Sequence, residues 1–178
     1  MNLALIGYRG TGKSHVAQRL AARLGWPALD ADDAIELSAG RSIAEIFTKS
    51  REQGFRDLET AVVRELTAAD QQVLAMGGGV VLREENRQCL ATRCFTVWLT
   101  ASPEEIARRL MGDVSTTARR PSLTGKSTID EIAEVLAHRL PLYQACADLT
   151  VSTDDLTAEE VAESVWKQLP EPEFKKER

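Results

Sequence analysis

Eight residues near the amino terminus, Gly7-Tyr8-Arg9-Gly10-Thr11-Gly12-Lys13-Ser14, fill every fixed position of the pattern G-x-x-x-x-G-K-[ST]. Each fixed residue has a physical task. The glycines let successive backbone N–H groups converge on a phosphate with no Cβ in the way. A helix beginning at the end of the loop directs its positive end at the same anion. Lys13 has the reach for β- and γ-phosphates, and the Ser14 hydroxyl can ligate Mg²⁺. The flanks agree with this reading. Leu3-Ala4-Leu5-Ile6 is a short apolar run that reads as a buried strand, and Val16, Leu20 and Leu24 follow at helical spacing. These residues predict binding of a nucleoside triphosphate.

Further constellations carry groups suited to a second ligand. Asp30-Ala31-Asp32-Asp33 falls where a second strand should end, and ligands of open α/β sheets bind beyond the carboxyl ends of strands. One carboxylate there can serve Mg²⁺ while another reaches a hydroxyl; equally, Asp32 and Asp33 can be helix-capping residues. Arg56 and Glu59 share a helix face, for which an isolated surface ion pair is the default reading. Gly77, Gly78 and Gly79 follow a strand directly and permit close backbone approach to a ligand, their N–H groups being the expected contribution. Pro141, within a helical pattern, predicts a kink or boundary near Arg139. Gly112 to Pro121 is polar and aperiodic and ends in Arg119-Arg120-Pro121, which reads either as a plain surface loop or as a lid that brings charge to a γ-phosphate.

The elements that must position these groups alternate along the chain. Apolar runs at Leu3–Gly7, Ala28–Asp30, Val73–Met76, Phe95–Leu99 and Leu149–Val151 read as strands. Amphipathic stretches lie between and after them, at Ser14–Leu24, Asp33–Ser38, Ile43–Phe47, Gln53–Leu66, Glu84–Leu90, Pro103–Leu110, Ile129–Ala145 and Thr157–Leu169. Parallel strands need such crossovers, so the expected fold is α/β, a three-layer α/β/α sandwich around a five-stranded parallel sheet. Residues 1–169 read as one domain with a lid at about 112–124, and Pro170 to Arg178 as a fraying tail. Trp26, Trp98 and Trp166 are expected in or at the edge of the core.

Composition narrows the class. Hydrophobic runs are too short to span a bilayer, and no basic segment leads into a longer apolar stretch near Met1, so a cytoplasmic protein is expected. A net charge of −5 gives no general attraction to nucleic acid or anionic lipid, and neither partner is expected. Cys89, Cys94 and Cys146 are odd in number and lack metal-ligand spacing, as do His15 and His138; reduced thiols are expected, with Cys94 buried.

Taken together, six ordered motifs resemble those of the shikimate kinases: Gly7–Ser14, Asp30-Ala31-Asp32, Phe55-Arg56, Gly77-Gly78-Gly79, Arg120-Pro121-Ser122-Leu123 and Arg139-Leu140-Pro141-Leu142-Tyr143. The resemblance runs from Asn2 to about Leu169. It implies a P-loop kinase that uses ATP and Mg²⁺ to phosphorylate the 3-hydroxyl of shikimate, in aromatic amino-acid biosynthesis, as a monomer. Gly10, Thr11, Gly12, Lys13, Ser14 and His15 would contact the nucleotide, with Arg109 beside the adenine and Arg120 brought from the lid to the phosphates. Ser14 and Asp30 would serve the metal. Asp32 would bind ring hydroxyls and accept the reacting proton; Arg56 and Arg139 would hold the carboxylate, and Gly77, Gly78 and Gly79 would line the ring. Lys13, Asp32 and Arg120 are the catalytic set this implies.

Three departures from the family pattern stand out. Ala31 replaces a usual threonine, Arg119 and Arg120 can exchange roles in a long lid, and Asp154-Asp155 stand where a basic residue often faces the nucleotide. Alternatives are a kinase for another small polyhydroxy acid, gluconate-like, and a nucleotide switch. The switch lacks its guanine-reading motif, since Thr48-Lys49-Ser50-Arg51 has no aspartate.

Overall fold

Each apolar run read as a strand becomes one. A computed structural model describes residues 1–112, 128–171 and 174. Strands β1 (Asn2–Ile6), β2 (Ala28–Asp30), β3 (Val73–Ala75), β4 (Cys94–Thr100) and β5 (Leu149–Ser152) form one parallel sheet in the order β2-β3-β1-β4-β5. Every residue of β1 and β3 is buried, whereas the outer strands β2 and β5 are partly open. Central parallel strands are covered on both faces, which is why their sequences are continuously apolar.

Alternate residues of β1 feed two cores. Leu3 and Leu5 pack on one face with Val16 and Leu20 of α1 (Lys13–Leu24) and Val161 and Val165 of α7 (Ala158–Gln168). Ala4 and Ile6 pack on the other, with Val63 of α3 (Ile43–Ala68), Leu90 of α4 (Glu84–Arg93) and Tyr143 of α6 (Thr128–Cys146). Full burial of each Leu or Ile side chain contributes about 1.5–3 kcal/mol, so these two layers hold the sheet in register. The remaining helices, α2 (Ala31–Ala39) and α5 (Pro103–Gly112), frame the carboxyl edge of the sheet through smaller clusters around Ile35 and Ile106.

Local signals explain most element boundaries. Ser42–Glu45 and Thr157–Glu160 form complete capping boxes at the starts of α3 and α7. α2 begins at Ala31 rather than Asp33, because the Asp30 carboxylate accepts the Asp32 N–H at 2.9 Å. The capping residue is thus Asp30, and Asp32 and Asp33 lie in the first turn. The two helical stretches expected between 43 and 66 merge into one span broken at Arg51, where φ is 55° and ψ −175°.

Pro141 lies inside α6, so of the expected kink or boundary the boundary does not occur. The buried Ile132 and Tyr143 lie on either side of it and anchor both halves of the helix to the body. The tail read as fraying from Pro170 is tied down at Phe174. That ring is buried 5.5 Å from Trp26 and 5.7 Å from Phe95, centroid to centroid. Burying an aromatic side chain is a large favourable term in core energetics. Trp98 is buried and Trp26 and Trp166 border the first core, as the sequence predicts.

Candidate active site

Parallel register brings separate loops to one edge. Asp30 is level with Ala75, and Ala75 with Leu5, which is level with Val97. The residues just beyond those strand ends, Asp32, Gly77 and Gly7, therefore share the carboxyl edge of the sheet, the ligand-binding edge of such folds.

The loop after β1 is shaped for an anion. Gly7, Gly10 and Gly12 have φ of 141°, 81° and 82°, which L side chains adopt at a cost. A Cβ on Gly7 would lie 2.3 Å from the Leu99 carbonyl oxygen. Gly12 is the N-cap of α1 and offers no capping side chain, so the first N–H groups of that helix are left for a ligand. Lys13 Nζ donates to the carbonyls of Gly7 at 3.0 Å and Tyr8 at 2.8 Å, and the buried Thr11 hydroxyl donates to Tyr8 at 2.8 Å. These three bonds fold the loop over the end of β1. Ser14 Oγ donates to Asp30 Oδ2 at 2.5 Å, so two oxygen ligands from different elements stand together beside the loop.

Fifteen residues or more separate the pieces of the neighbouring cluster in sequence, yet they meet around the three glycines. Arg56 is 8% exposed and Glu59 1%. Arg56 Nη1 donates to Glu59 Oε2 at 2.7 Å, and Nη2 to Glu52 Oε1 at 3.3 Å. The expected surface pair is therefore a buried one. Packing against Gly79 excludes water, and a buried pair of this kind costs on the order of 3–5 kcal/mol to break from one side. A Cβ on Gly79 would lie 2.3 Å from Arg56 Nη1, and one on Gly77 would lie 2.9 Å from Asp32 Oδ1. From α6, Arg139 Nη1 donates to the Gly78 carbonyl at 2.9 Å. The same carbonyl accepts the Tyr143 hydroxyl at 2.5 Å. Gly78 thus contributes a carbonyl to this cluster, where the sequence pointed to N–H groups. Burial pushes the Tyr143 phenol up to about 12, so it stays a donor at neutral pH.

A cavity of about 400 Å³ opens among Thr11, His15, Arg109, Thr153 and Asp155. Arg109 spans it. Its Nη1 donates to Gly10 at 3.2 Å and to Thr153 Oγ1 at 2.9 Å, and its Nη2 donates to the Thr153 carbonyl at 2.6 Å. Glu105 holds the Arg109 Nε at 2.6 Å and pairs in a fork with Arg108. Those guanidiniums, Arg108 first, pull the Glu105 carboxyl down to about 2. Asp154 is turned away to accept the Ser102 N–H at 2.9 Å, and Asp155 lines the cavity.

A family model described as shikimate kinase matches residues 9–170 of this sequence. A shikimate kinase of Rhodopirellula baltica is 48% identical over 169 residues, covering 95% of this chain and 90% of that protein. The chain belongs to the shikimate kinase family. Its fold matches the family's solved structures. That of Acinetobacter baumannii shikimate kinase in complex with shikimate superposes with a TM-score of 0.87 at 35% identity, covering 93% of this chain and 90% of that one. The Aquifex aeolicus enzyme superposes with a TM-score of 0.75 at 27% identity over 94% of this chain and 95% of that one. The protein is accordingly an ATP-dependent kinase that works with Mg²⁺.

Within that family frame, the structure brings the expected residues into two groups. Asp32, Arg56, Gly77, Gly78, Gly79 and Arg139 meet around the glycine turn, and Thr11, Gly12, His15 and Arg109 line the cavity. Ser14 at the start of α1 and Asp30 at the end of β2 meet each other. Arg119 and Arg120 and all of the expected lid after Gly112 up to residue 124 lie outside the described residues. Sequence reasoning gave no site role to Glu59, Tyr143 or Thr153. The signals were present as an i, i+3 partner of Arg56, as the end of the Arg139 motif, and as a hydroxyl at the end of β5. Among the described residues no group of three or more His, Cys, Asp or Glu side chains could hold a metal, and no helix is long and apolar enough to cross a membrane. Cys94 is buried, and that burial pushes its thiol up to about 12.

Proposed function

We propose that this enzyme transfers the γ-phosphoryl group of ATP to the 3-hydroxyl of shikimate, giving shikimate 3-phosphate and ADP, with the residue roles that follow. The observation carrying the assignment is the meeting of one carboxylate, Asp32, and two guanidiniums, Arg56 and Arg139, on a glycine turn beside the phosphate loop. A small hydroxylated acid needs a cationic fork for its carboxylate and an acceptor for its reacting proton, and this cluster supplies both.

Ser14 and Asp30 would hold Mg²⁺. The donor set fits: two hard oxygens leave the remaining positions to water and phosphate, as this ion prefers. Bound there, Mg²⁺ supplies charge compensation to the phosphates. The P-loop N–H groups cradle the phosphate chain, and Lys13 exchanges its carbonyl partners for phosphate oxygens, where its charge counts most as the transition state forms. Arg109, fixed by Glu105 and Thr153, walls the base side of the cavity. Glu59 and Glu52 orient the Arg56 fork before the acceptor arrives, which lowers the ordering cost of binding. Asp32 accepts the hydroxyl proton as the phosphoryl group is transferred. Arg120 is assigned by its motif alone to the transferring phosphate. Residues 1–169 are read as one kinase domain acting as a cytoplasmic monomer.

Calorimetric titration of Arg56→Ala and Arg139→Ala with shikimate and with ATP tests the assignment. Each variant is expected to weaken shikimate binding by on the order of 1.5–3 kcal/mol, the worth of a charge-assisted contact, with ATP affinity unchanged. Loss of ATP affinity with shikimate affinity intact would place the arginines at the wrong end of the site.

A further inference from the structure

The Gly78 carbonyl has two lone pairs, and two residues one helical turn apart on α6 claim them. One claimant, Arg139, belongs to the acceptor site. The other, Tyr143, is fully buried and cannot touch a ligand in the cleft. Its ring is stacked on Trp98 of β4, with centroids 5.6 Å apart and planes at 16°, so the hydroxyl is aimed by the sheet itself. Trp98 in turn is level with Ile6, the last residue before the phosphate loop. A rigid path therefore runs from the central strands through Tyr143 to the turn that Arg56, Asp32 and Arg139 all border.

We propose that Tyr143 is a positioning residue for the acceptor: its hydroxyl pins the Gly78 carbonyl and thereby sets where Arg139 stands. With one lone pair occupied by the phenol, the carbonyl holds Arg139 through a single N–H, the phenol oxygen lies beside the same guanidinium, and its remaining N–H groups are left to a carboxylate. Without the phenol, the turn loses its fixed point and the carbonyl is free to draw a second N–H of Arg139 away from the ligand. The inference rests on the reading of Arg139 as a carboxylate-binding residue.

Tyr143→Phe keeps the ring, its stacking on Trp98 and the helix. The Gly78 carbonyl retains Arg139 as a donor, so no buried acceptor is orphaned and the variant is expected to fold. The expected result is a rise in KM for shikimate of roughly fivefold, the worth of one neutral hydrogen bond. KM for ATP should stay within a factor of about two of the parent enzyme, and kcat should fall less than KM rises. Because Tyr143 is argued to act through Arg139, the double variant Tyr143→Phe/Arg139→Ala, in which water fills the half-buried space left by Arg139 and bonds the Gly78 carbonyl, should match Arg139→Ala alone in shikimate KM. Additive losses in the double variant, or equal damage to both KM values, overturn the proposal and leave Tyr143 a packing residue. If Arg139→Ala itself leaves shikimate KM unchanged, the Arg139 assignment fails instead, and that single variant separates the two failures.

Discussion

Gly79→Ala puts the smallest possible obstacle at the centre of the proposed acceptor site. Gly79 has φ −104° and ψ 3°, so the backbone accepts alanine without strain. The new methyl would lie 2.3 Å from Arg56 Nη1, 2.6 Å from Nη2 and 2.7 Å from Cζ, whereas ordinary contact begins near 3.4 Å. The guanidinium must retreat by roughly 1 Å, and misplacement on that scale costs about a hundredfold in well-organised sites. It cannot retreat freely, because Glu59 holds Nη1 at 2.7 Å and Glu52 holds Nη2 at 3.3 Å. Losing one charge-assisted contact to the acceptor, on the order of 1.5–3 kcal/mol, corresponds to about ten- to a hundredfold in shikimate KM. The three atoms nearest the methyl all belong to the end of the Arg56 side chain, so the fold should survive. Alanine also restricts the unfolded chain, a small gain in stability. Initial rates in a coupled ADP assay, varying shikimate at saturating ATP and then the reverse, read the effect; a thermal melt checks folding. A folded Gly79→Ala enzyme whose shikimate KM lies within threefold of the parent would refute the placement of Arg56.

Lys13→Ala is expected to abolish turnover by at least a factor of about a thousand while circular dichroism stays native, because the lysine compensates charge that grows in the transition state; substantial turnover in a folded variant would sink the assignment. Arg51 occupies φ 55° and ψ −175°, a region suited to glycine, at a cost of about 1–3 kcal/mol. Arg51→Gly should therefore raise Tm by about 2–4 °C for each kcal/mol of strain relieved, and a lower Tm in a scanning melt would show that the arginine side chain compensates the strain. The Tyr143 phenol is raised to about 12 from an ordinary 10, so the folded state keeps its proton where the unfolded state loses it. Its contribution to stability is whole below pH 10 and declines as pH rises toward 12. Urea midpoints between pH 9 and 11.5 should fall less steeply in Tyr143→Phe than in the parent, and parallel slopes would contradict the burial argument.

Local spacing was enough to determine the strands and the phosphate loop. The apolar runs of β1 and β3 are short and unbroken because both faces are covered, and the glycines of the loop are needed where φ turns positive. Family motifs extended that reading to Asp32, Arg56 and Arg139. Tertiary structure decided what those residues touch. The Arg56–Glu59 pair is close in sequence, yet its burial comes from the glycine turn after β3 closing over it. Arg109 reaches Thr153 across 44 residues, and Arg139 and Tyr143 reach Gly78 across 61 and 65. Pro141 sits inside a helix where the sequence pointed to a kink or boundary, since burial on both sides of it outweighs the lost hydrogen bond. Phe174, in a stretch of charges and prolines, is held by Trp26 and Phe95. Periodicity and motif spacing report interactions within a few residues; strand order and register, set by the summed burial of the whole core, choose the partners across the chain.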